Sequence, residues 1–138
     1  MNEGLDSKTS IAQLKYQVRD FCDARDWDQF HGPKDLAIGL STEAAEILEL
    51  VRFKTDAEFV QEFKQNPTEL SDELADVLFF VLRMADRLNI DLSESFNRKM
   101  NKNAERYTVE NSRGSNKKIP AVGVDPRLKK ENGKVEES

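Results

Sequence analysis

Four carboxylates stand at a spacing that would let them bind a metal ion. Glu43 and Glu46 lie three residues apart, and so do Glu73 and Asp76. On a helix, a three-residue step puts both side chains on one face, about one turn apart, and both segments are otherwise apolar. Unpaired negative charge beside a buried face is costly, and no Lys or Arg lies one turn away to compensate it. We therefore expect a divalent cation, and all-carboxylate ligands favour Mg²⁺ or Mn²⁺ over zinc.

The acidic pairs also have a simpler interpretation. Acidic residues on helices usually face solvent, and one pair at this spacing is a weak indication of a metal site. Two pairs about thirty residues apart, each inside an apolar helix, strengthen the metal hypothesis. The alternative from another class is a non-enzymatic helical interaction module, in which the acidic helix edges dock a basic partner.

The composition is that of a small helical protein. Its 138 residues indicate one domain, and 38% hydrophobic beside 34% charged residues suits helices with wet outer faces. The single Cys22 excludes an internal disulfide framework and agrees with a reducing compartment. The polar N-terminus lacks the apolar stretch of a signal peptide, and no apolar run could span a bilayer, so we expect a cytoplasmic protein without a membrane partner. The net charge of −5 argues against general nucleic-acid binding.

Apolar residues recur with helical period in four segments, which predicts an all-α fold. The predicted helices span about 10–25, 34–53, 69–88 and, after a cap at Asp91 or Ser93, about 92–104. Ser10 and Thr68 are the predicted N-caps of the first and third helices, and Pro33 opens the second. Residues 25–33 are predicted to form a loop, and residues 54–68 a connector with one short amphipathic turn. Helices joined by short connections pack antiparallel, as in a bundle, so the two acidic edges are expected to face each other.

The same period predicts which faces of the two acidic helices enter the core. On the second helix these core residues are Ala37, Leu40, Ala44, Ile47, Leu48 and Val51. On the third helix they are Leu70, Leu74, Val77, Leu78, Val81, Ala85 and Leu88. Beside each core face runs an edge on which carboxylates lead to an aromatic residue, Phe53 on the second helix and Phe80 on the third. Arg83 ends the edge of the third helix.

The predicted loop between the first two helices is rich in aromatic residues. It holds Trp27, Phe30 and His31, and the chain has one Trp and one His in all. Trp27 and Phe30 either plug the end of a helix bundle or form a surface on which a nucleobase stacks. A single exposed loop histidine is usually incidental, and a chemical role for His31 is the alternative.

The last part of the chain carries basic residues and then loses its pattern. Lys99, Lys102 and Arg106 either form a basic rim for an anion or a solvated face. Residues 120–138 lack periodicity and carry Pro and Gly, so we expect a disordered tail.

Several short segments, taken in order, resemble the all-α NTP pyrophosphohydrolases of the MazG-like superfamily, and within it the dCTP pyrophosphatase type. These segments are residues 25–31 (RDWDQFH), 43–50 (EAAEILEL), 73–78 (ELADVL), 99–103 (KMNKN), 106–107 (RY) and 113–115 (RGS). The likeness runs from about residue 14 to 118, and the order and spacing of the segments carry it. Val18 and Phe80 depart from that type, which tends to have His and Tyr there, so polar contacts near the base or sugar are lost.

The resemblance implies a four-helix MazG-like bundle completed by homo-oligomerisation, as a homodimer or a dimer of dimers. Residues 1–107 would form the domain, and residues 108–138 a C-terminal segment with motif residues to about 118. The implied reaction is Mg²⁺-dependent hydrolysis of a nucleoside triphosphate to monophosphate and pyrophosphate. It would clean the nucleotide pool, with dCTP-like deoxynucleotides as the first expectation. The family's metal ligands fall on Glu43, Glu46, Glu73 and Asp76.

The remaining expectations concern substrate binding and proton transfer. The expected substrate contacts are Trp27, His31, Phe53, Lys54, Phe80, Lys99, Asn103, Arg106, Tyr107, Arg113 and Lys118. The sequence shows neither a Ser-His-Asp or Cys-His arrangement nor a glycine-rich phosphate loop, which argues against covalent catalysis. Glu46 or Glu49 is the expected general base, and the sequence does not choose between them. A second enzymatic hypothesis releases orthophosphate instead of pyrophosphate.

Overall fold

The computed structural model describes residues 4–121, and every regular element within them is helical. Six α-helices, α1 to α6, span Ile11–Asp23, Pro33–Val51, Asp56–Gln65, Pro67–Arg87, Leu92–Arg106 and Val109–Ser112. Single 3₁₀ turns at Leu5–Ser7 and Asp28–Phe30 precede α1 and α2. This part of the chain holds no strand, which confirms the predicted all-α fold. None of its helices is both long and apolar enough to cross a membrane.

Local sequence determines where several helices begin. Ser10 caps α1 through a capping box, and Pro33 is the first residue of α2, as predicted. The predicted cap at Thr68 is wrong, because Asn66 is the N-cap of α4 and Pro67 is its first residue. A proline suits the first helical position, since its φ is already helical and its missing N–H would have no partner there.

The connector between the acidic helices is more ordered than predicted. It contains a full helix, α3, rather than one short turn. Thr55 caps α3, and the Thr55 backbone N–H donates in return to Glu58 Oε2 at 2.7 Å. This capping box satisfies backbone N–H groups that would otherwise lack partners, which favours a helix here. The periodicity also did not predict α6, a single turn capped by Thr108.

The two acidic helices, α2 and α4, pack antiparallel, as predicted. Gly39 of α2 faces Phe80 of α4. Further along α2, Leu50 lines a cavity together with Glu69 and Leu70, which lie near the start of α4. Rising residue numbers on one helix therefore meet falling numbers on the other. Helix α1 also packs on α4, and α3 packs against both α2 and α4.

The predicted core faces are partly wrong. Leu36 and Leu82 are buried, although the hydrophobic periodicity did not place either of them in the core. Leu48, which is predicted in the core, is 64% exposed. The other residues predicted in the core but found exposed are Ala37, Ala44, Leu74, Leu78 and Leu88. Helix α2 carries apolar residues on more than one face, so its periodicity admits more than one orientation and contacts with other helices decide between them.

The described residues fall into two compact units. The first ends at Leu92 and holds α1 to α4, and the second begins at Ser93 and holds α6 and nearly all of α5. The domain boundary predicted at residue 107 stays a prediction. The predicted disordered tail lies, from residue 122 onward, outside the described residues.

Gly39 permits the close approach of α2 and α4. A Cβ at this position would lie 2.6 Å from Cζ and 2.7 Å from Cδ1 of Phe80, far inside the roughly 3.5 Å of a carbon–carbon contact. Replacing Gly by Ala in a helix gains about 1 kcal/mol of propensity, but overpacking costs about 1–3 kcal/mol. We expect Gly39→Ala to lower the free energy of unfolding in urea by about 1 kcal/mol.

Two further variants test whether the clash with Phe80 is the cause of this loss. Ser41→Ala, at an exposed position of the same helix, should change the free energy of unfolding by less than about 0.5 kcal/mol. Phe80→Leu should be less destabilising when Gly39→Ala is already present than when it is made alone. Strictly additive effects of the two substitutions would contradict the explanation.

Candidate metal centre

Three of the four predicted ligands converge between α2 and α4. One carboxylate oxygen from each of Glu43, Glu73 and Asp76 lies within 4.8 Å of the others. Glu73 and Asp76 are one turn apart on α4, and Glu43 reaches across from α2. Glu43 and Glu73 are partly buried, whereas Asp76 is exposed. Oxygens bound to one Mg²⁺ lie about 3–4 Å apart, so small side-chain movements would let these three share a cation.

The packing of Gly39 against Phe80 explains why the carboxylates meet. Glu43 lies one turn after Gly39 on α2, and Asp76 lies one turn before Phe80 on α4. Because the helices are antiparallel, these two steps run in the same direction along the helix pair. They bring the two carboxylates opposite each other.

The cluster of Glu43, Glu73 and Asp76, with Glu46 beside it, is strongly negative, and the described part of the chain supplies no cation to it. Burial raises the pKa of Glu43, and repulsion from Asp76 and Glu46 raises it further. Burial also raises the pKa of Glu73, followed by repulsion from Glu46 and the other carboxylates. Within residues 4–121, no Lys or Arg forms an ion pair with any of these four residues. This uncompensated charge on oxygen ligands fits a hard divalent cation.

The two candidate general bases differ in whether an ion pair occupies their carboxylate. Glu46 is exposed and lies outside the group of three, but its charge raises the pKa of both Glu43 and Glu73, so it borders the cluster. Glu49 is paired with Arg52, whose Nη1 donates to Glu49 Oε1 at 3.2 Å. Glu46 is therefore the better placed of the two to accept a proton at the cluster.

Of the two aromatic residues predicted to follow the acidic pairs, Phe53 is exposed and Phe80 is packed between helices. The prediction that Phe53 belongs to α2 is wrong, because the helix ends two residues earlier and Phe53 has a φ of 62°. Positive φ is rare for a bulky residue and is incompatible with a continuing helix. The Phe53 side chain is 93% exposed, with the Arg52 guanidinium 4.7 Å from its ring centroid. Phe80, in contrast, packs on Gly39 and lies edge-on to Phe79, with ring centroids 5.4 Å apart.

Lys54, predicted to hold the outgoing pyrophosphate, has a carboxylate partner. Its Nζ forms an ion pair with Glu62 of α3. Lys54 also lines a cavity of about 210 Å³ together with Leu50 and Glu69. A phosphate group that binds Lys54 would have to compete with Glu62.

Trp27 has both a packed side and an open side. Its ring lies edge-on to Phe21, with centroids 5.6 Å apart, and to His31, with centroids 5.9 Å apart. The side chain is nevertheless 37% exposed. The Trp27 ring therefore packs on Phe21 of α1 and the residue stays partly exposed, so both interpretations of Trp27 stand. Phe30 is 62% exposed and does not plug the end of a bundle.

Arg83 is the polar residue whose position the sequence pattern predicted worst. It ends the predicted surface edge of α4, yet it is 1% exposed. Its Nε donates to Nδ1 of His31 at 3.0 Å, and its guanidinium pairs with Asp28 and Asp86. Asp86 is three residues away and could have been suspected from the sequence. Asp28 is 55 residues away, and no local pattern links it to Arg83.

Among the predicted substrate contacts in the second unit, Arg106 is hydrogen-bonded to a backbone carbonyl of the same unit. The Nε of Arg106 donates to the carbonyl oxygen of Ile119, and its guanidinium lies 5.0 Å from the ring centroid of Tyr107. Asn103 is partly buried, and the remaining predicted contacts, Lys99, Arg113 and Lys118, are exposed. The basic rim stays a prediction.

Comparison with known sequences identifies the relatives of this chain. The sequence profile of the MazG-like family matches residues 38–120, which hold all four predicted ligands. The chain is 41% identical over 109 residues to dCTP pyrophosphatase 1 of Rattus norvegicus and 37% identical over 112 residues to dCTP pyrophosphatase 1 of Homo sapiens. These matches cover 77% and 79% of this chain but 64% and 65% of the two relatives. The chain thus spans slightly less than two thirds of the length of these curated proteins.

A solved structure shows the same fold. A pyrophosphatase from Archaeoglobus fulgidus DSM 4304 superimposes with a TM-score of 0.67 and 34% identity, over 71% of this chain and 92% of that one. The chain belongs to the MazG-like family. The resemblance to its dCTP pyrophosphatase type is confirmed.

Removing one carboxylate should stabilise the metal-free protein and remove most of its response to Mg²⁺. Glu43→Gln removes the repulsion that Glu43 shares with Asp76 and Glu46, so we expect its Tm in EDTA to exceed that of the wild type. A cation at about 100 times its Kd adds about 2.7 kcal/mol to the free energy of unfolding, and the variant should lose most of this gain. Thermal melting with EDTA and with Mg²⁺ measures both effects.

Glu69→Gln is the matched control for this experiment. Glu69 is exposed on α4, one turn before Glu73, and is not one of the three converging residues. This variant should keep the wild-type response to Mg²⁺. A full Mg²⁺ response in Glu43→Gln would show that the cation binds elsewhere.

His31 should make the protein less stable at mildly acidic pH. Burial lowers its pKa, and the charge of Arg83 lowers it further. A histidine with a lowered pKa binds fewer protons in the folded than in the unfolded state. The stability present above the unfolded value of about 6.5 is therefore lost as the pH falls through that value toward the folded pKa.

Denaturation from about pH 7.5 to pH 5.5 measures this loss. We expect the free energy of unfolding of the wild type to fall more steeply over this range than that of His31→Gln. Parallel pH profiles for the two proteins would show that His31 is not the source of the loss.

Proposed function

We propose that this protein is a Mg²⁺-dependent nucleoside triphosphate pyrophosphohydrolase, which converts a (d)NTP and water to the (d)NMP and pyrophosphate. The observation that carries the proposal is the convergence of Glu43, Glu73 and Asp76, to which no described residue supplies a compensating cation. The names of the relatives, dCTP pyrophosphatase 1 and pyrophosphatase, support this reaction. They make dCTP-like deoxynucleotides the first candidates, and the role would be to clean the cytoplasmic nucleotide pool.

Hydrolysis at the α-phosphorus needs neutralised charge and an aligned water molecule. Bound Mg²⁺, or Mn²⁺ in its place, would supply charge neutralisation and a more acidic water. In this proposal Glu43, Glu73 and Asp76 hold the cation. Glu46 is either a fourth ligand or the base that takes the proton from water. Glu49 could take the proton only after leaving Arg52.

Exposed aromatic side chains are the proposed binding surface for the base. The open part of Trp27 and the exposed ring of Phe53 can each stack on a base, which contributes about 1–3 kcal/mol per stacked base. His31 and Phe80 are proposed as further contacts on this side of the substrate. The proposed contacts on the phosphate side are Lys54, Lys99, Asn103, Arg106, Tyr107, Arg113 and Lys118.

We infer that the protein self-associates, as a homodimer or a dimer of dimers, to complete the four-helix bundle. In the single chain, α2 exposes Ile38 and Leu48 and α4 exposes Leu74 and Leu78. Apolar side chains exposed on neighbouring helices are typical of an interface between subunits. Sedimentation velocity of Leu48→Glu should then show smaller particles than the wild type, whereas a monomeric wild type would contradict the inference.

A panel of dNTPs and NTPs with Mg²⁺ tests the proposed reaction. We expect monophosphate and pyrophosphate in equal amounts, no product in EDTA, and the highest kcat/KM for dCTP-like deoxynucleotides. Glu73→Gln should lower kcat by at least about 100-fold because it removes charge from the cluster, whereas Glu69→Gln should retain turnover. Each product is measured separately.

The other hypotheses predict different results in this assay. Orthophosphate as the product would indicate cleavage at another phosphorus. No turnover of any nucleotide by folded, Mg²⁺-loaded protein would favour the interaction module. Full turnover by folded Glu46→Ala would exclude Glu46 from the mechanism.

A further inference from the structure

An ion-pair network built around a buried arginine lies along α4 beyond Phe80. Its centre is Arg83, whose side chain is 1% exposed. The Nε of Arg83 donates to Nδ1 of His31 at 3.0 Å, Nη2 pairs with Asp28, and Nη1 lies 3.6 Å from Oδ2 of Asp86. A buried charge is stable only when it is paired and hydrogen-bonded in this way. The position of Arg83 is therefore linked to the positions of His31 and Asp28.

Two other arginines divide the network into two sides. Arg87 Nη1 donates to Oδ2 of Asp28 at 2.9 Å. Arg19 of α1 donates from Nε to Oδ1 of Asp86 at 3.1 Å. One side therefore holds Asp28 and the segment around it against α4, and the other side holds α1 against α4. Breaking the pair of Arg19 and Asp86 would disturb the network without touching Asp28 or His31.

The hydrogen bond from Arg83 determines where His31 carries its proton. An arginine Nε always bears a hydrogen, so Nδ1 of His31 must be an unprotonated acceptor. The proton of the neutral ring is then on Nε2. Protonation of Nδ1 would turn it into a second donor facing the Arg83 N–H, and the hydrogen bond would be lost.

Trp27 is coupled to this network by its place in the chain and by its ring. It directly precedes Asp28, and its ring centroid lies 5.9 Å from that of His31 at an interplanar angle of 69°. On its other side, the Trp27 backbone N–H donates to the carbonyl oxygen of Cys22 at 3.1 Å. The Trp27 ring is therefore held from two directions, by Phe21 of α1 on one side and, through His31, by Arg83 on the other.

We propose that Arg83 is a positioning residue of the nucleotide site, which sets the orientation of the Trp27 ring through Asp28 and His31. The inference rests on the proposed function, in which the open part of Trp27 stacks on the base. Arg83 is buried and acts only through its neighbours. Without its hydrogen bonds the Trp27 ring gains freedom and binds the base more weakly, whereas the carboxylate cluster is unchanged. KM should therefore rise while kcat is kept.

Two variants weaken the side of the network at Asp28, and a third weakens the other side. Asp28→Asn removes the charge of a side chain that is half exposed, so the protein should still fold. Arg83→Lys keeps the buried charge but loses the planar fork that reaches three partners. Arg19→Gln is the matched control, because it breaks only the pair with Asp86.

The single Trp and the single His of the chain are unambiguous reporters for this test. In tag-free protein, long-range ¹⁵N–¹H NMR shows the His31 tautomer, and iodide quenching of fluorescence shows the accessibility of Trp27. We expect the Nε2–H tautomer in the wild type. In Asp28→Asn and Arg83→Lys we expect stronger quenching and a KM about tenfold higher for the best nucleotide, with kcat within about twofold. Arg19→Gln should lower Tm but keep the wild-type KM and quenching.

Three results would overturn the inference. The first is an unchanged KM and unchanged quenching in Asp28→Asn and Arg83→Lys, which would make Arg83 a purely stabilising residue. The second is an Nδ1–H tautomer of His31 in the wild type. The third is an equal rise of KM in Arg19→Gln, which would mean that general loosening raises KM. Absence of turnover by the wild type would instead overturn the proposed function, and this inference with it.

Discussion

The close contact of Gly39 with Phe80 is the constraint on which the candidate site depends. It lets the Phe80 ring of α4 lie directly on the backbone of α2, and Glu43 and Asp76 each lie one turn away from this contact on their helices. The distance between Glu43 and Asp76 is therefore set by packing between apolar groups, not by attraction between the acids, which repel each other. Packing of this kind can hold like charges together because interiors are dense and resist small displacements.

Helix α4 carries two polar clusters, one whose charges lack partners of opposite sign within residues 4–121 and one whose charges are paired. The acids at Glu73 and Asp76 have no cationic partner among the described residues, and the pKa of Glu73 is raised in consequence. Further along, the buried Arg83 contacts His31, Asp28 and Asp86, and Asp86 has a lowered pKa because Arg19 donates to it. The first cluster costs stability in the absence of a cation, as expected of a binding site. The second is internally compensated, as expected of a device that holds a segment in place.

The apolar core of the single chain is small, and many of its apolar residues lie at the surface instead. Few side chains are fully buried within the described residues, whereas large apolar residues such as Ile38 and Leu48 on α2 lie open. If the proposed self-association covers these residues, it would bury apolar surface that the single chain leaves open, and folding, assembly and formation of the site would then be linked. The residues that match the MazG-like family, 38–120, include both the acids and these apolar positions.

The sequence by itself determined those features of the protein that depend on residues close together in the chain. The all-α class, the cap at Ser10, the start of α2 at Pro33 and the placement of Glu73 and Asp76 one turn apart on α4 follow from helical period and from residue types at short spacing. The convergence of Glu43 with these two carboxylates depends on how α2 packs on α4. The tertiary structure decided which face of α2 is buried, because a helix with apolar residues on several faces does not itself select one. It also decided the burial of Arg83, whose partner Asp28 lies 55 residues away, and the pairing of Lys54 with Glu62 in a connector helix that the period did not predict. These outcomes depend on which distant residues meet, and hydrophobic periodicity carries no information about that.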